Sequence, residues 1–332
     1  EAEIFPSPAH SYRVRAEFRV WHDGDDLAYV MFDSADPRVP APVDDFVPAL
    51  EPIRKLMPAL RSRLATSPPL RRKLFQVEFL ASRDGSVLVT LIYHRPVDEA
   101  WEAAARGLEE EFGIHVIGRS RRQKLTLSQD YVTETFAVGG RDYRLRQYEQ
   151  SFVQPNAAVN TQMLNWAWRQ CADAEGDLLE LYCGNGNFTL PLASRFDDVL
   201  ATELSKVGTR AAQENIRDNG IDNVHVVRLS AEEASEALSG GRRFRRLATL
   251  PKPLEAYRLR TVFVDPPRAG LDDTTLAFVR GFERIVYISC NPQTLRANAE
   301  ALGQTHAPSA LAFFDQFPYT PHLECGMVLR AR

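Results

Sequence analysis

Cysteine is scarce in this chain of 332 residues: Cys171, Cys183, Cys290 and Cys325 are the only four. They are too few and too scattered for a disulfide framework. None forms a CxxC pair, so zinc and iron–sulfur sites have no ligand set. A reducing cytoplasm is the expected setting. No apolar run approaches the length of a membrane span, and no charged-then-apolar leader opens the chain, so no membrane association is expected. Residue 1 is Glu rather than Met, so a native start is expected upstream. An excess of positive charge is missing as well: 40 Lys and Arg stand against 44 Asp and Glu, a net charge of −4. Any nucleic-acid surface must therefore be local. Internal repeats are also absent.

What is present falls into two stretches of different grammar. "YRVRAEFRVWHD" alternates strictly, placing Tyr12, Val14, Ala16, Phe18 and Val20 on one strand face and Arg13, Arg15, Glu17, Arg19 and Trp21 on the other. "HDGDD" reads as a turn into the partner strand "LAYVMFD". "ALEPIRKLMPALRSRLA" reads as a helix with Pro52 and Pro58 at its start or at a kink. "LFQVEFLAS" and "VLVTLIYH" make a second hairpin, and "AWEAAARGLEEEFG" is a helix closed by Gly113. Residues 52–77 carry Arg54, Lys55, Arg61, Arg63, Arg71, Arg72 and Lys73 with no acid among them, and "GRSRRQK" follows at 118–124. Each cluster is either a solvated face or an RNA surface.

From about 150 onward, apolar strands alternate with helices, which indicates βαβ units and a parallel, doubly wound sheet. The span 240–260 reads as a basic, proline-containing insertion. "LLELYCGNGN" is an apolar strand entering a Gly-x-Gly turn and then a helix, with Gly184 and Gly186 freeing the backbone to approach a ligand. Position 189 is Thr, so the third glycine of a dinucleotide fingerprint is missing. Glu203, nineteen positions beyond Gly184, ends the next strand and suits the two hydroxyls of a ribose. The pattern fits a nucleoside better than a pyrophosphate. S-adenosylmethionine is the leading candidate and NAD the competitor.

Two further residues are expected at one edge of that sheet, and a third stands out in the last strand-like segment. "VFVDPPR" places Asp265, and "VYISCNP" places Cys290, at the carboxyl ends of successive strands, where open α/β sheets bind ligands. Glu324 interrupts the apolar segment "HLECGMVL", and a buried acid is costly unless paired or used. Taken singly, Cys290 is a core thiol or a nucleophile. Together the three match one chemistry. Carbon-5 of uracil is too poor a nucleophile to take a methyl group unaided, but a thiolate added at carbon-6 makes it an enolate. A base must then remove the carbon-5 proton. In that scheme Cys290 is the nucleophile, Glu324 the base, and Asp265 a polar anchor for cofactor or base.

"LLELYCGNGNF", "VFVDPPRAGLD", "YISCNPQTL" and "FDQFPYTPHLECG" resemble the RNA uracil-5 methyltransferase family. The resemblance to its bacterial tRNA-modifying branch extends through "YRVRAEFRVWHDGDD", "KLFQVEF" and "SFVQPNAAVN", covering nearly the whole chain. It implies a Rossmann-like class I methyltransferase domain over 141–332, preceded by a smaller α+β RNA-binding domain over 1–140. It implies methylation of the T-loop uridine of tRNA (position 54) to 5-methyluridine through a covalent cysteine adduct, in the cytoplasm, by a single-chain enzyme without metal. Cys290 and Glu324 take the catalytic places, and Gln154, Tyr182, Asn187, Glu203 and Asp265 those around S-adenosylmethionine. Arg13, Arg15 and Arg19 are expected on RNA phosphates, with Phe75 stacking on a base. No cysteine precedes position 171, unlike the iron–sulfur ribosomal relatives, so ribosomal or T-loop-like RNA ranks second. Two other classes remain at this point, a dinucleotide-dependent oxidoreductase and a non-catalytic RNA-binding module.

Overall fold

The computed structural model describes residues 1–32 and 39–332; Asp33, the last residue of the strand expected from "LAYVMFD", lies outside the described residues. The chain forms two compact units. One comprises Pro8–Glu134 and Gln147–Ala157; the other comprises Glu1–Ser7, Thr135–Arg146 and Ala158–Arg332.

After β1 (Glu3–Phe5), the first of these units begins with β2 (Arg15–Asp23), β3 (Asp26–Phe32), β4 (Pro40–Pro42), α1 (Glu51–Thr66) and α2 (Pro68–Arg71). It continues with β5 (Leu74–Ala81), β6 (Val87–Tyr93), α3 (Glu99–Phe112), β7 (His115–Ser120) and β8 (Gln123–Thr126). The strands form one sheet in the order β4-β3-β2-β5-β6-β7-β8. Its one parallel pair, β6–β7, is the pair that α3 joins, as a parallel crossover requires. The strict alternation of the N-terminal segment is realised: Val14, Ala16 and Phe18 are buried, while Arg13, Glu17 and Arg19 are exposed. Phe18 packs edge-on against Phe46 and Phe79. Helix α1 buries Ile53, Met57, Leu60 and Leu64; Pro52 lies in its first turn and Pro58 inside it. Asp98 caps α3 by accepting from the Trp101 N–H at 2.9 Å, and Gly113 ends it in the left-handed region at φ 63°.

The strands β9 (Tyr131–Val138) and β10 (Arg141–Tyr148) pair in a two-stranded sheet. Gly139 and Gly140 join them with φ of 58° and 81°, the two positive angles of a type I′ turn. The chain passes from one unit to the other within β9 and returns within β10. Residues are therefore not divided by the single cut at 140 expected from the sequence.

The larger unit contains α4 (Ala157–Gln170), β11 (Asp177–Leu181), α5 (Thr189–Leu192), β12 (Val199–Thr202), α6 (Lys206–Asp218), β13 (Val224–Val227) and α7 (Ala231–Leu238). Then follow β14 (Leu259–Val264), α8 (Asp273–Val279), β15 (Arg284–Ser289), α9 (Pro292–Leu302), β16 (His306–Phe314) and β17 (Glu324–Ala331). Eight strands form its sheet in the order β1-β16-β17-β15-β14-β11-β12-β13. The sheet is mostly parallel, as expected; β17 alone runs antiparallel to both its neighbours. The connections leave β11 in opposite directions toward β12 and β14, so the switch point lies between β11 and β14. The basic segment 240–260 is anchored by Phe244, Leu247, Leu250, Leu254 and Tyr257 against the core. Lys252 joins Asp177 at 3.3 Å, and Arg260 joins Glu175 at 2.8 Å.

Two glycines of the smaller unit make opposite predictions. A Cβ on Gly118 would lie 2.5 Å from the Trp101 ring, so Gly118→Ala is expected to lower stability by about 1–3 kcal/mol. Gly107 lies within α3 with open space around it, so Gly107→Ala is expected to raise stability by about 0.5–1 kcal/mol. Denaturant midpoints check both signs.

Candidate active site

The strand β11 is uniformly apolar apart from Asp177 and Glu180, and it ends where the backbone turns sharply. Tyr182, Gly184 and Gly186 all adopt left-handed angles, with φ of 62°, 56° and 89°. For Tyr182 this is a strained conformation. The Cys183 N–H donates to the Thr202 carbonyl at 3.0 Å, and the Gly186 N–H to the Cys183 carbonyl at 2.9 Å, so the turn is held. The helix after it is one short turn, Thr189–Leu192, briefer than the sequence suggested.

Glu203 follows β12 and faces this loop. One carboxylate oxygen accepts the Gly184 N–H at 3.0 Å and the other the Ser205 N–H at 2.7 Å. Each oxygen keeps one lone pair for a ligand hydroxyl. A Cβ on Gly208 would sit 2.9 Å from the Glu203 Cγ, so glycine is what lets α6 pass against this side chain. Leu204 and Val207 beside it are largely exposed apolar side chains. Asn187 exchanges paired amide hydrogen bonds of 2.9 and 3.0 Å with buried Asn160, which leaves it one free amide hydrogen.

Asp265 comes directly after β14, Cys290 directly after β15, and Glu324 opens β17. The antiparallel ladder pairs Ser289 with Cys325. The ladder ends there, and Cys290 and Glu324, the next residue on each strand, lie at that same end, close enough for the Glu324 charge to act on the thiol. Glu324 is 4 % exposed. Burial, and then the Asp265 charge, push its carboxyl up to about 8. Burial pushes Asp265 up to about 7. The Cys290 thiol is raised by burial and then by Glu324 and Asp265, while the Arg268 guanidinium pulls it down. Cys290 also sits two residues before α9, whose N-cap Asn291 accepts from the Gln293 N–H at 3.1 Å. Donors and dipole at a helix N-terminus favour a thiolate. The other three cysteines are buried, and burial pushes Cys171 and Cys325 up to about 12. Cys290 alone is half-exposed.

Glu180 is the residue that sequence reasoning passed over. It is 1 % exposed, its Oε2 has no hydrogen-bond partner, and burial with the Asp265 charge pushes it up to about 8. Its signal was the one that exposed Glu324, an acid inside an apolar run, here "LLEL".

The family model described as tRNA (Uracil-5-)-methyltransferase matches residues 1–332. The chain belongs to this family. It is 55 % identical over 332 residues to the tRNA/tmRNA (uracil-C(5))-methyltransferase of Aromatoleum aromaticum, covering 100 % of this chain and 90 % of that one. Identity to the protein of the same name from Dechloromonas aromatica is 56 % over 326 residues, covering 98 % and 89 %. The crystal structure of the Pyrococcus abyssi tRNA (uracil-54, C5)-methyltransferase in complex with S-adenosyl-L-homocysteine superposes with a TM-score of 0.74 at 18 % identity, covering 99 % of this chain and 79 % of that one. That likeness shows a Rossmann-like methyltransferase fold with an additional smaller β-rich domain.

The residues expected on RNA lie in the smaller unit. The Arg19 guanidinium covers the Phe75 ring at 3.9 Å, and the His94 ring stacks on Phe75 at 4.0 Å. Two groups this close must occupy opposite faces. Phe75 is thus the middle of a stack and not an open platform; the outer member is exposed His94. Arg13 is exposed and donates to the Arg15 carbonyl at 3.0 Å, while Arg15 is half-buried beside Glu17, Glu78 and Glu149. Much of the basic stretch is neutralised: Arg54 meets Asp45, Lys55 meets Glu51, Arg61 meets Asp44 and Arg63 meets Glu111. Gln154 is buried and belongs to this smaller unit. Among the described residues, no cluster of His, Cys, Asp and Glu could hold a metal, and no helix is long and apolar enough to cross a membrane.

The raised carboxyl of Glu324 makes a stability prediction. Its ordinary value is 4.5, so as pH rises an unfolded chain releases this proton before the folded one does. Folded stability therefore falls as pH rises from about 4.5 and stops falling near 8. Glu324→Gln carries no such proton and should melt higher than the unaltered chain, by a margin that grows from pH 5 to pH 8 and reaches on the order of a few kcal/mol. Thermal melts at three pH values check it. A pH-independent difference would count against the burial argument.

Proposed function

We propose that this chain methylates carbon-5 of the T-loop uridine of tRNA (position 54), with Cys290 as nucleophile and Glu324 as base. The observation that carries the reading is that the half-exposed thiol and a buried carboxyl lie together just past the last pair of the β15–β17 ladder. S-adenosylmethionine, when bound, supplies an electrophilic methyl group. The residues at the switch point fit it. Tyr182, Gly184 and Gly186 keep the backbone open, Glu203 offers lone pairs to ribose hydroxyls, and Leu204 and Val207 flank it with apolar surface. Glu180 adds a buried carboxyl beside Asp265. Asn187 has one amide hydrogen left to donate, and Asp265 anchors cofactor or base.

The uracil steps follow from this chain's own groups. The Cys290 sulfur adds to carbon-6, and the electron pair displaced from the 5,6 double bond makes carbon-5 nucleophilic. Once carbon-5 carries the methyl group, Glu324 takes its remaining proton. The electrons of that C–H bond restore the double bond and expel the sulfur. An oxidoreductase reading gives Cys290 and Glu324 no shared task. T-loop-like RNA, including tmRNA, is the second reading, favoured by the names of the relatives. Free cysteines with one reactive thiol suit a reducing cytoplasm.

RNA contact is assigned to the smaller unit, through Arg13, Arg15 and the Arg19–Phe75–His94 stack. Arg19→Glu should raise the KM for tRNA several-fold and flatten the salt dependence of binding, with cofactor affinity unchanged. An unaltered salt slope would leave Arg19 a solvated residue.

The catalytic pair is tested by its asymmetry. Cys290→Ala should abolish both methylation and any covalent RNA complex. Glu324→Gln should still add to uracil and methylate it, then stall, accumulating an adduct that survives denaturing electrophoresis and carries the labelled methyl group. An active Cys290→Ala enzyme would sink the reading.

A further inference from the structure

Helix α9 begins two residues after Cys290; it buries Leu295 and Leu302 against the core, and beside that apolar face runs a polar one. Asn291, Thr294 and Asn298, spaced three and four apart, lie on that face. All three hold the loop that leaves β14. The Asn291 amide donates to the Arg268 carbonyl at 3.3 Å, and the Thr294 hydroxyl shares its proton between the Asn291 carbonyl at 3.0 Å and the Arg268 carbonyl at 3.3 Å. The Asn298 Oδ1 accepts the Leu271 N–H at 3.1 Å and the Tyr287 hydroxyl at 2.8 Å. Tyr287 lies in β15, three residues before Cys290, and its side chain is fully buried. One oxygen thus ties together the loop, the helix and the strand. The approach is as close as the backbone allows: at Gly270, φ 82°, a Cβ would lie 2.8 Å from that oxygen and 3.3 Å from the Thr294 Cβ.

The loop so fastened starts with Asp265 and carries Arg268, the two groups that pull the Cys290 thiol in opposite directions. We propose that Asn298 is a positioning residue, which latches the Asp265–Leu271 loop to α9 and so holds Asp265 and Arg268 in register with Cys290. This rests on the reading of Cys290 given above. No substrate touches Asn298 in this scheme; it acts through the loop. A displacement of about 1 Å at reacting groups can cost on the order of 100-fold in rate.

The test combines exchange and kinetics on the full chain. In Asn298→Ala the Leu271 amide should exchange with deuterium at least tenfold faster, with the amides of β14 and β15 unmoved. At saturating tRNA and cofactor, kcat should fall on the order of 10- to 100-fold, while the tRNA KM and the cofactor Kd stay within twofold. Asn298→Asp keeps an oxygen acceptor in place and should recover most of the lost kcat. Thr294→Val, which removes the hydroxyl shared by the Arg268 and Asn291 carbonyls, should show the same split more weakly. It also serves if Asn298→Ala does not fold. Unaltered Leu271 exchange, or faster exchange with unaltered kcat, would overturn the proposal. So would a loss of kcat and both affinities together, or an aspartate variant no better than alanine. Absence of methyl transfer by the unaltered chain would overturn instead the functional reading beneath it, and the exchange result would still decide whether the latch exists.

Discussion

A single reversed strand organises the candidate site. Because β17 runs antiparallel, its first residue lies at the edge where β14 and β15 end. A parallel β17 would put Glu324 at the opposite edge, far from Cys290. The reversal brings a carboxyl and a thiol together in a place with little water, and their charges then oppose each other. Two anions so close are not held at once near neutral pH. In the proposed mechanism the nucleophile acts first and the base second: the charge on sulfur is gone once it is bonded to carbon, before Glu324 has to ionise.

The same desolvation explains why such a site is poor material for stability. Glu180, Asp265 and Glu324 are each pushed well above ordinary carboxyl behaviour, and burial is the leading cause for all three. Folding leaves these groups worse solvated than in the unfolded chain, an expense met by the surrounding strands, whose side chains are almost all buried. Strain at Tyr182 adds to it. The sheet interior is what makes a water-poor edge tolerable.

Much of this was legible in the sequence because the signals are local. Alternation of apolar and charged residues marked β2 and its faces, Gly113 marked the end of α3, and strand-end positions drew attention to Asp265 and Cys290. Glu324 was legible as an acid in apolar company, and Glu180 carried the same mark. What escaped depends on partners distant along the chain. Phe75 is enclosed by Arg19 and His94 from two other segments, and Arg63 is neutralised by Glu111, 48 positions away. The crossing of the chain within β9 and β10 is likewise a property of pairing, invisible in composition.

The strand β1 carries a consequence for how the molecule is made. Glu3 pairs with Ala312 and Phe5 with Phe314, so one border of the larger unit's sheet joins residues 309 positions apart. On a ribosome, β1 emerges with no strand to pair with until some 300 further residues have followed. Loops of that length close slowly compared with local hairpins. The smaller unit, whose strands pair mainly with near neighbours, has its sheet available long before. Vectorial synthesis thus orders the two: the smaller unit matures while its chain is still growing, and the reactive edge assembles only after translation has passed β16 and β17. A growing chain therefore holds no completed thiol site until β17 has been made.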